Sequence, residues 1–213
     1  MLNNRVNKIL VLLKKEYPNV TTSLRHHNPL ELLVATILSA QCTDARVNIV
    51  TKELFKKYKT AADYANARLK TFEQEIRSTG FYHNKAKNII EAANMIVERF
   101  NGKVPDSMEK LIELPGVARK TANIVLSHGY GKIEGIAVDT HVRRVSYRLG
   151  LTKNEDPVKI EEDLMKIAAK KDWPLLSDIL IAHGRAICSA KKPKCPECIL
   201  GHFCPSAKLF YSK

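Results

Sequence analysis

Four cysteines near the end of the chain, Cys188, Cys195, Cys198 and Cys204, follow the spacing C-x6-C-x2-C-x5-C. Four thiolates inside 17 residues can surround one metal centre, and Pro196 and Pro205 stiffen the loop beside them. Zinc sites built on four cysteines usually pair two short C-x2-C knuckles set far apart. Here one knuckle sits between wider gaps, so a [4Fe-4S] cluster fits the spacing better, zinc comes second and disulfides third. A cluster placed so late, with no redox domain around it, points to a structural role. From Arg185 to Lys194 the chain carries Arg185, Lys191, Lys192 and Lys194 and no acid. That loop reads either as a cationic knob suited to phosphate or as an ordinary basic surface loop.

A second constellation lies at Leu114-Pro115-Gly116-Val117-Ala118-Arg119-Lys120-Thr121-Ala122. Pro115 ends one helix near Leu114, Gly116 permits a tight turn at positive φ, and a second helix runs from about Ala118 to Ser127. Backbone N–H groups at such a helix start favour a phosphate oxygen, with Arg119 beside them. Lys120 falls in the first turn, where the helix dipole disfavours a cation. If Lys120 is also desolvated its pKa falls, and an amine nucleophile becomes available near neutral pH; otherwise it is a solvated lysine touching phosphate. Downstream, Asp139 stands directly before a helix running to about Leu149. It is either that helix's N-cap or a carboxylate facing Lys120. His141, Arg143, Arg144 and Arg148 continue a basic surface, or line a solvated helix face.

The elements that must position these residues are helical. Val6, Ile9, Leu10, Leu13 and Tyr17 share a face, as do Ile89, Ala93, Ile96 and Phe100, and no stretch alternates with the period of a strand. The expected fold class is all-α. Asn28 then Pro29, Asp44, Asp106 with Glu109 in capping-box spacing, and Pro157 mark helix starts. Leu30 to Ala40 is apolar nearly all round and should be a central helix that delivers Gln41, Cys42, Thr43 and Asp44 at its end. The softest break is His128 to Gly135, with three glycines in eight residues. The 213 residues carry 35 Lys plus Arg against 22 Asp plus Glu, a formal charge of +13 that asks for a polyanion. The longest strongly apolar run has 11 residues, below the roughly 18 needed to cross a bilayer. The first residues lack a secretion signal, so a cytoplasmic, reducing location is expected.

LPGVARKTA with Lys120, VDTHVRR with Asp139 and the cysteine spacing occur in order, together with LELLVATILSAQCTD at 30–44 and GFYHNKAKNI at 80–89. The ordered set resembles the helix-hairpin-helix DNA glycosylase superfamily, most closely its endonuclease III family. The resemblance implies two helical domains: a six-helix domain over 22–132, and an iron-sulfur domain formed by 1–21 with 133–213. A cleft between them would hold duplex DNA bent around an extruded base, with no membrane partner and a monomeric enzyme. By likeness, Lys120 attacks the sugar C1′ and Asp139 supports base departure and nucleophile activation. Gln41 resembles the residue that fills the gap left by the flipped nucleotide. Phe81 stands where an apolar wedge, usually Leu, enters the opposite strand; its alternative is a helix-packing aromatic. Gly116, Ala118 and Arg119 of the hairpin, with His141, Arg143, Arg144, Arg185, Lys191, Lys192 and Lys194, would contact DNA. The hairpin is often LPGVG, so Ala118 in the second glycine's place suggests helical φ/ψ there. Cys42, outside the cluster, reads as a small buried hydrophobe.

The activity so implied is a bifunctional glycosylase and abasic-site lyase acting on oxidised pyrimidines in duplex DNA. A lysine Schiff base would permit β-elimination. The alternatives are a mismatch-specific glycosylase and a catalytically weak DNA-binding iron-sulfur protein.

Overall fold

The computed structural model describes residues 2–210. Every regular element among the described residues is helical. The chain divides into two compact units, Thr22–Glu134 and Met1–Thr21 with Gly135–Lys213. The break between Glu134 and Gly135 falls at the end of the glycine-rich stretch.

The unit 22–134 is built around α2 (Pro29–Leu38), whose residues Leu32 to Leu38 are all buried. Asn28 Oδ1 caps it by accepting from Glu31 N at 2.9 Å, and Pro29 occupies the first turn, where its missing N–H costs nothing. Being apolar on every side, α2 packs against α3 (Asp44–Lys57), α6 (Tyr82–Phe100) and α8 (Arg119–Ile124). The cap of α3 is Thr43 rather than Asp44, which forms the first helical residue: Thr43 Oγ1 accepts from Arg46 N at 3.3 Å. Between them, α4 (Ala61–Ala65) opens with a capping box of Thr60 and Asp63, and α5 (Leu69–Ile76) buries Phe72 against Tyr58 and Tyr64.

The expected capping box at Asp106 does not form. Ser107 is the N-cap of the single-turn α7 (Met108–Leu111), and the Asp106 carboxylate instead takes the Lys132 ammonium at 2.6 Å. The helix after the hairpin is also shorter than expected. It is α-helical only to Ile124 and continues as a wider π turn over Val125–Gly129. Ser127 Oγ donates to the Asn123 carbonyl at 2.7 Å, the acceptor that a continued α ladder would give to Ser127 N.

In the other unit α1 (Leu2–Glu16) and α11 (Trp173–Ala186) pack together, as do α11 and α9 (Thr140–Arg148), with α10 (Pro157–Ile167) completing the layer. Its core gathers Val6, Ile9 and Leu13 with Val142, Val145, Ile160, Leu164, Ile179 and Leu180. Gly184 sets how closely α9 and α11 approach, since a Cβ there would lie 3.0 Å from His141 Nδ1 and 3.1 Å from Val145 Cγ2. Two buried polar groups pin the extended segment before α9: Glu161 accepts from Ile136 N at 3.1 Å, and Ser177 Oγ donates to the Ala137 carbonyl at 2.6 Å. The segment so held ends at Asp139.

Candidate functional site

The hairpin is closed by Val117 N donating to the Leu114 carbonyl at 3.0 Å. Gly116 has φ +77°, and a Cβ there would meet Asn88 Cβ at 2.9 Å. Two requirements therefore converge on glycine, the left-handed backbone and the close passage of α6. Ala118 is not helical as expected. It is the extended N-cap of α8, with φ −89° and ψ 169°, because Gly116 alone makes the turn and Ala118 has only to deliver its carbonyl to Ala122 N. Lys120, the second residue of α8, is exposed.

Asp139 is the N-cap of α9. Its Oδ1 accepts from both His141 N and Val142 N at 2.8 Å, which leaves Oδ2 without a hydrogen bond among the described residues. The cap thus orients the carboxylate through one oxygen and presents the other. His141 is half-buried, and burial lowers its pKa below the ordinary imidazole value. Arg143 is exposed, whereas Arg144 is committed to the chain: Nε donates to the Cys188 carbonyl at 3.0 Å and Nη2 to the Gly184 carbonyl at 2.9 Å. Arg148 makes a second strap, from Nη1 to Ser189 O at 2.7 Å and Cys188 Sγ at 3.3 Å, and from Nη2 to Ala190 O at 2.9 Å.

Those arginines hold the cysteine loop. Cys188, Cys195, Cys198 and Cys204 line one cavity with His183, Arg148 and Phe210. Burial first, and then the neighbouring thiols, push the thiols of Cys195 and Cys204 up; burial also raises that of Cys198. Cys198 Sγ lies 3.5 Å from His183 Nε2, while His183 Nδ1 meets the Tyr17 hydroxyl at 3.2 Å. Ser189 Oγ donating to Lys192 O and Lys194 N donating to Ile187 O close the loop, whose Lys191, Lys192 and Lys194 are exposed, as is Arg185.

Gln41 and Phe81 share a feature no residue type announces: both are non-glycine residues in the left-handed region, at φ 52° and 48°. Both are exposed, Phe81 to 63 %, so Phe81 is not a helix-packing aromatic. Cys42 is half-buried at the edge of the core. Sequence reasoning passed over three side chains that shape these places: Lys85, Asn88 and His183. For Lys85 a signal was present, because it stands on the apolar stripe of α6 with Ala86, Ile89, Ala92, Ala93 and Ile96.

The family described as HhH-GPD superfamily base excision DNA repair protein matches residues 34–170. An Endonuclease III of Synechocystis sp. is 56% identical over 204 residues, covering 96% of this chain and 93% of the relative. Among solved structures, a non-covalent Endonuclease III-DNA complex superposes with a TM-score of 0.95 at 45% identity and covers 99% of both chains. A trapped Endonuclease III-DNA covalent intermediate superposes with a TM-score of 0.93 at 46% identity over 97% of both chains. The chain accordingly belongs to the HhH-GPD superfamily of base excision DNA repair proteins and, within it, to the endonuclease III family of DNA glycosylases and abasic-site lyases.

Proposed function

We propose that this protein removes oxidised pyrimidines from duplex DNA and cleaves the resulting abasic site through a Schiff base on Lys120. One observation carries the reading: an exposed primary amine stands directly behind a phosphate-binding type of turn, in a chain similar to a relative trapped in a covalent bond with DNA. The base is turned out of the stack and Lys120 Nζ bonds to C1′ as the glycosidic C1′–N bond breaks. Loss of a proton from nitrogen and opening of the sugar give the iminium, which acidifies the C2′ proton. Removal of that proton breaks the C3′–O bond, and water then releases the amine. Only a nitrogen nucleophile permits this second half. Asp139, with Oδ1 spent on the α9 cap and Oδ2 without a hydrogen bond among the described residues, is the carboxylate that supports base departure and nucleophile activation. Gln41 and Phe81 enter the duplex, the first in the vacated gap and the second against the opposite strand.

The cysteine loop suits a [4Fe-4S] cluster. Its four thiols line one cavity together with His183 and Arg148, a set of soft sulfur donors of the kind that holds iron-sulfur clusters. The cluster's chemistry, when bound, is to neutralise four mutually repelling thiolates and so stitch the tail. Arg148 and His183 supply the surrounding hydrogen bonds.

Borohydride reduction during incubation with a thymine-glycol duplex tests the assignment. The native protein is expected to form a covalent adduct and Lys120→Gln to form none. Asp139→Asn should keep DNA affinity while base release falls on the order of 100-fold. Equal trapping by Lys120→Gln would remove Lys120 from the chemistry, and near-native turnover of Asp139→Asn would leave that residue only its cap.

A further inference from the structure

We propose that Lys85 is a positioning residue: its buried ammonium ties the turn carrying Gln41 to the turn carrying Phe81, and so fixes the separation of the two side chains that enter the duplex. The inference rests on the functional reading above and adds to it a residue outside the catalytic pair.

Lys85 is 4% exposed, although it is a lysine on the apolar stripe of α6. Its Nζ donates to two main-chain carbonyls, those of Leu38 and Thr79, each at 2.8 Å. Leu38 ends α2, and Gln41 follows three residues later. Thr79 ends the short 3-10 turn Arg77–Thr79, and Phe81 follows after Gly80. One ammonium therefore bridges the roots of both turns, which lie 41 residues apart in sequence. The carbonyl of Leu38 belongs to the negative end of the α2 dipole, which suits a cation. Burial nonetheless weakens the ammonium and lowers its pKa, with the nearby Cys42 acting in the opposite direction. A buried cation is a costly way to fill an apolar stripe that a Leu or Met would fill by packing alone. What an apolar side chain lacks is the pair of directional donors.

Those donors matter because of what hangs from each turn. Gln41 and Phe81 stand on left-handed backbone and are exposed, so little packing holds them in place. Insertion on the two strands of one duplex demands a set distance between them, and a turn that relaxes by an ångström misplaces its probe. Lys85 is buried, with its ammonium turned to two main-chain carbonyls. It acts through Gln41 and Phe81.

The test separates base extrusion from amine chemistry. An abasic site in single-stranded DNA needs no extrusion and reads Lys120 alone; a damaged base in a duplex needs both. Lys85→Met is expected to lose duplex base release on the order of 100-fold, while borohydride trapping on the single-stranded abasic site stays near the native level. In a Gln41→Ala/Phe81→Ala background, Lys85→Met should cost nothing further, because what it positions is already gone. If Lys85→Met does not fold, Lys85→Arg, which keeps the charge but misplaces the donors, is read in the same cycle. Equal losses on both substrates, or an undiminished loss in the double-alanine background, would overturn the positioning role. Failure of the native protein to trap on either substrate would instead overturn the functional reading itself.

Discussion

At the scale of single residues, local folding leaves some groups only partly used. Asp139 caps α9 with one carboxylate oxygen, and the other makes no hydrogen bond among the described residues, so the cap does not exhaust the carboxylate. Gly116 is held by backbone and space together: φ is +77°, and Asn88 Cβ would lie 2.9 Å from any added Cβ. Gly116→Ala therefore forces an L-residue into the left-handed region, at about 1–2 kcal/mol, and displaces Asn88 as well. The expected outcome is a melting temperature lower by about 2–4 °C for each kcal/mol lost, with weakened affinity for abasic-site duplex. Thermal unfolding and fluorescence anisotropy measure the two; an unchanged melting temperature would mean that the hairpin absorbs the methyl group by shifting α6. Gln41 and Phe81 hold the same backbone region without glycine's freedom. Such strain collects where side chains must be presented rather than packed.

Helix α9 shows how one element links distant residues. Its N-terminus orients Asp139, and the opposite end straps the first cysteine of the loop through Arg144 and Arg148. The Arg148 guanidinium satisfies the carbonyls of Ser189 and Ala190, donates to Cys188 Sγ and lies 4.7 Å from the Phe210 ring centre. Purified protein should contain iron and acid-labile sulfide in equal amounts and no zinc. Arg148→Met should keep its helical content yet yield its iron to a chelator roughly 10-fold faster. A colourless zinc protein would refute the cluster, and an unaltered chelation rate would show that Cys188 does not depend on Arg148. Helix α8 makes the contrasting point, since its α pattern ends after six residues and widens into a π turn. There Ser127 takes the carbonyl that would have extended the helix.

Taken over the whole chain, the +13 charge is spread rather than gathered. Residues 22–132 carry 17 basic and 11 acidic side chains, and residues 133–213 carry 14 and 10. Among the described residues no helix is long and apolar enough to cross a membrane. Polyelectrolyte binding of this kind weakens steeply with salt, because each neutralised phosphate releases counterions. Affinity for a duplex with a stable abasic-site analogue should therefore fall linearly on a log-log plot against salt. Replacing the exposed Lys191, Lys192 and Lys194 together by Ala should reduce the slope by up to about 3. An unchanged slope would return that loop to the role of ordinary surface.

Much of this was legible along the chain because it is written over short range. Helical period, the Asn28-Pro29 start and the glycine in the hairpin each depend on residues within a few positions of one another, and the cysteine spacing on a single stretch of 17. The all-α class, the hairpin and the candidate amine follow from such patterns. Capping was less secure, as Asp44 and Asp106 show, because neighbouring Thr43 and Ser107 compete for the same place and Lys132 recruits Asp106 from 26 residues away. Ala118 departs from its expected helical geometry for a related reason: its conformation is set by Gly116 and by the helix it caps, and alanine is at home in either region. Only the tertiary structure decided which cations are free to meet phosphate and which are spent inside the protein. Lys85 and Arg148 donate to carbonyls as far as 47 and 42 residues away, and no local pattern records a hydrogen bond closed over that distance.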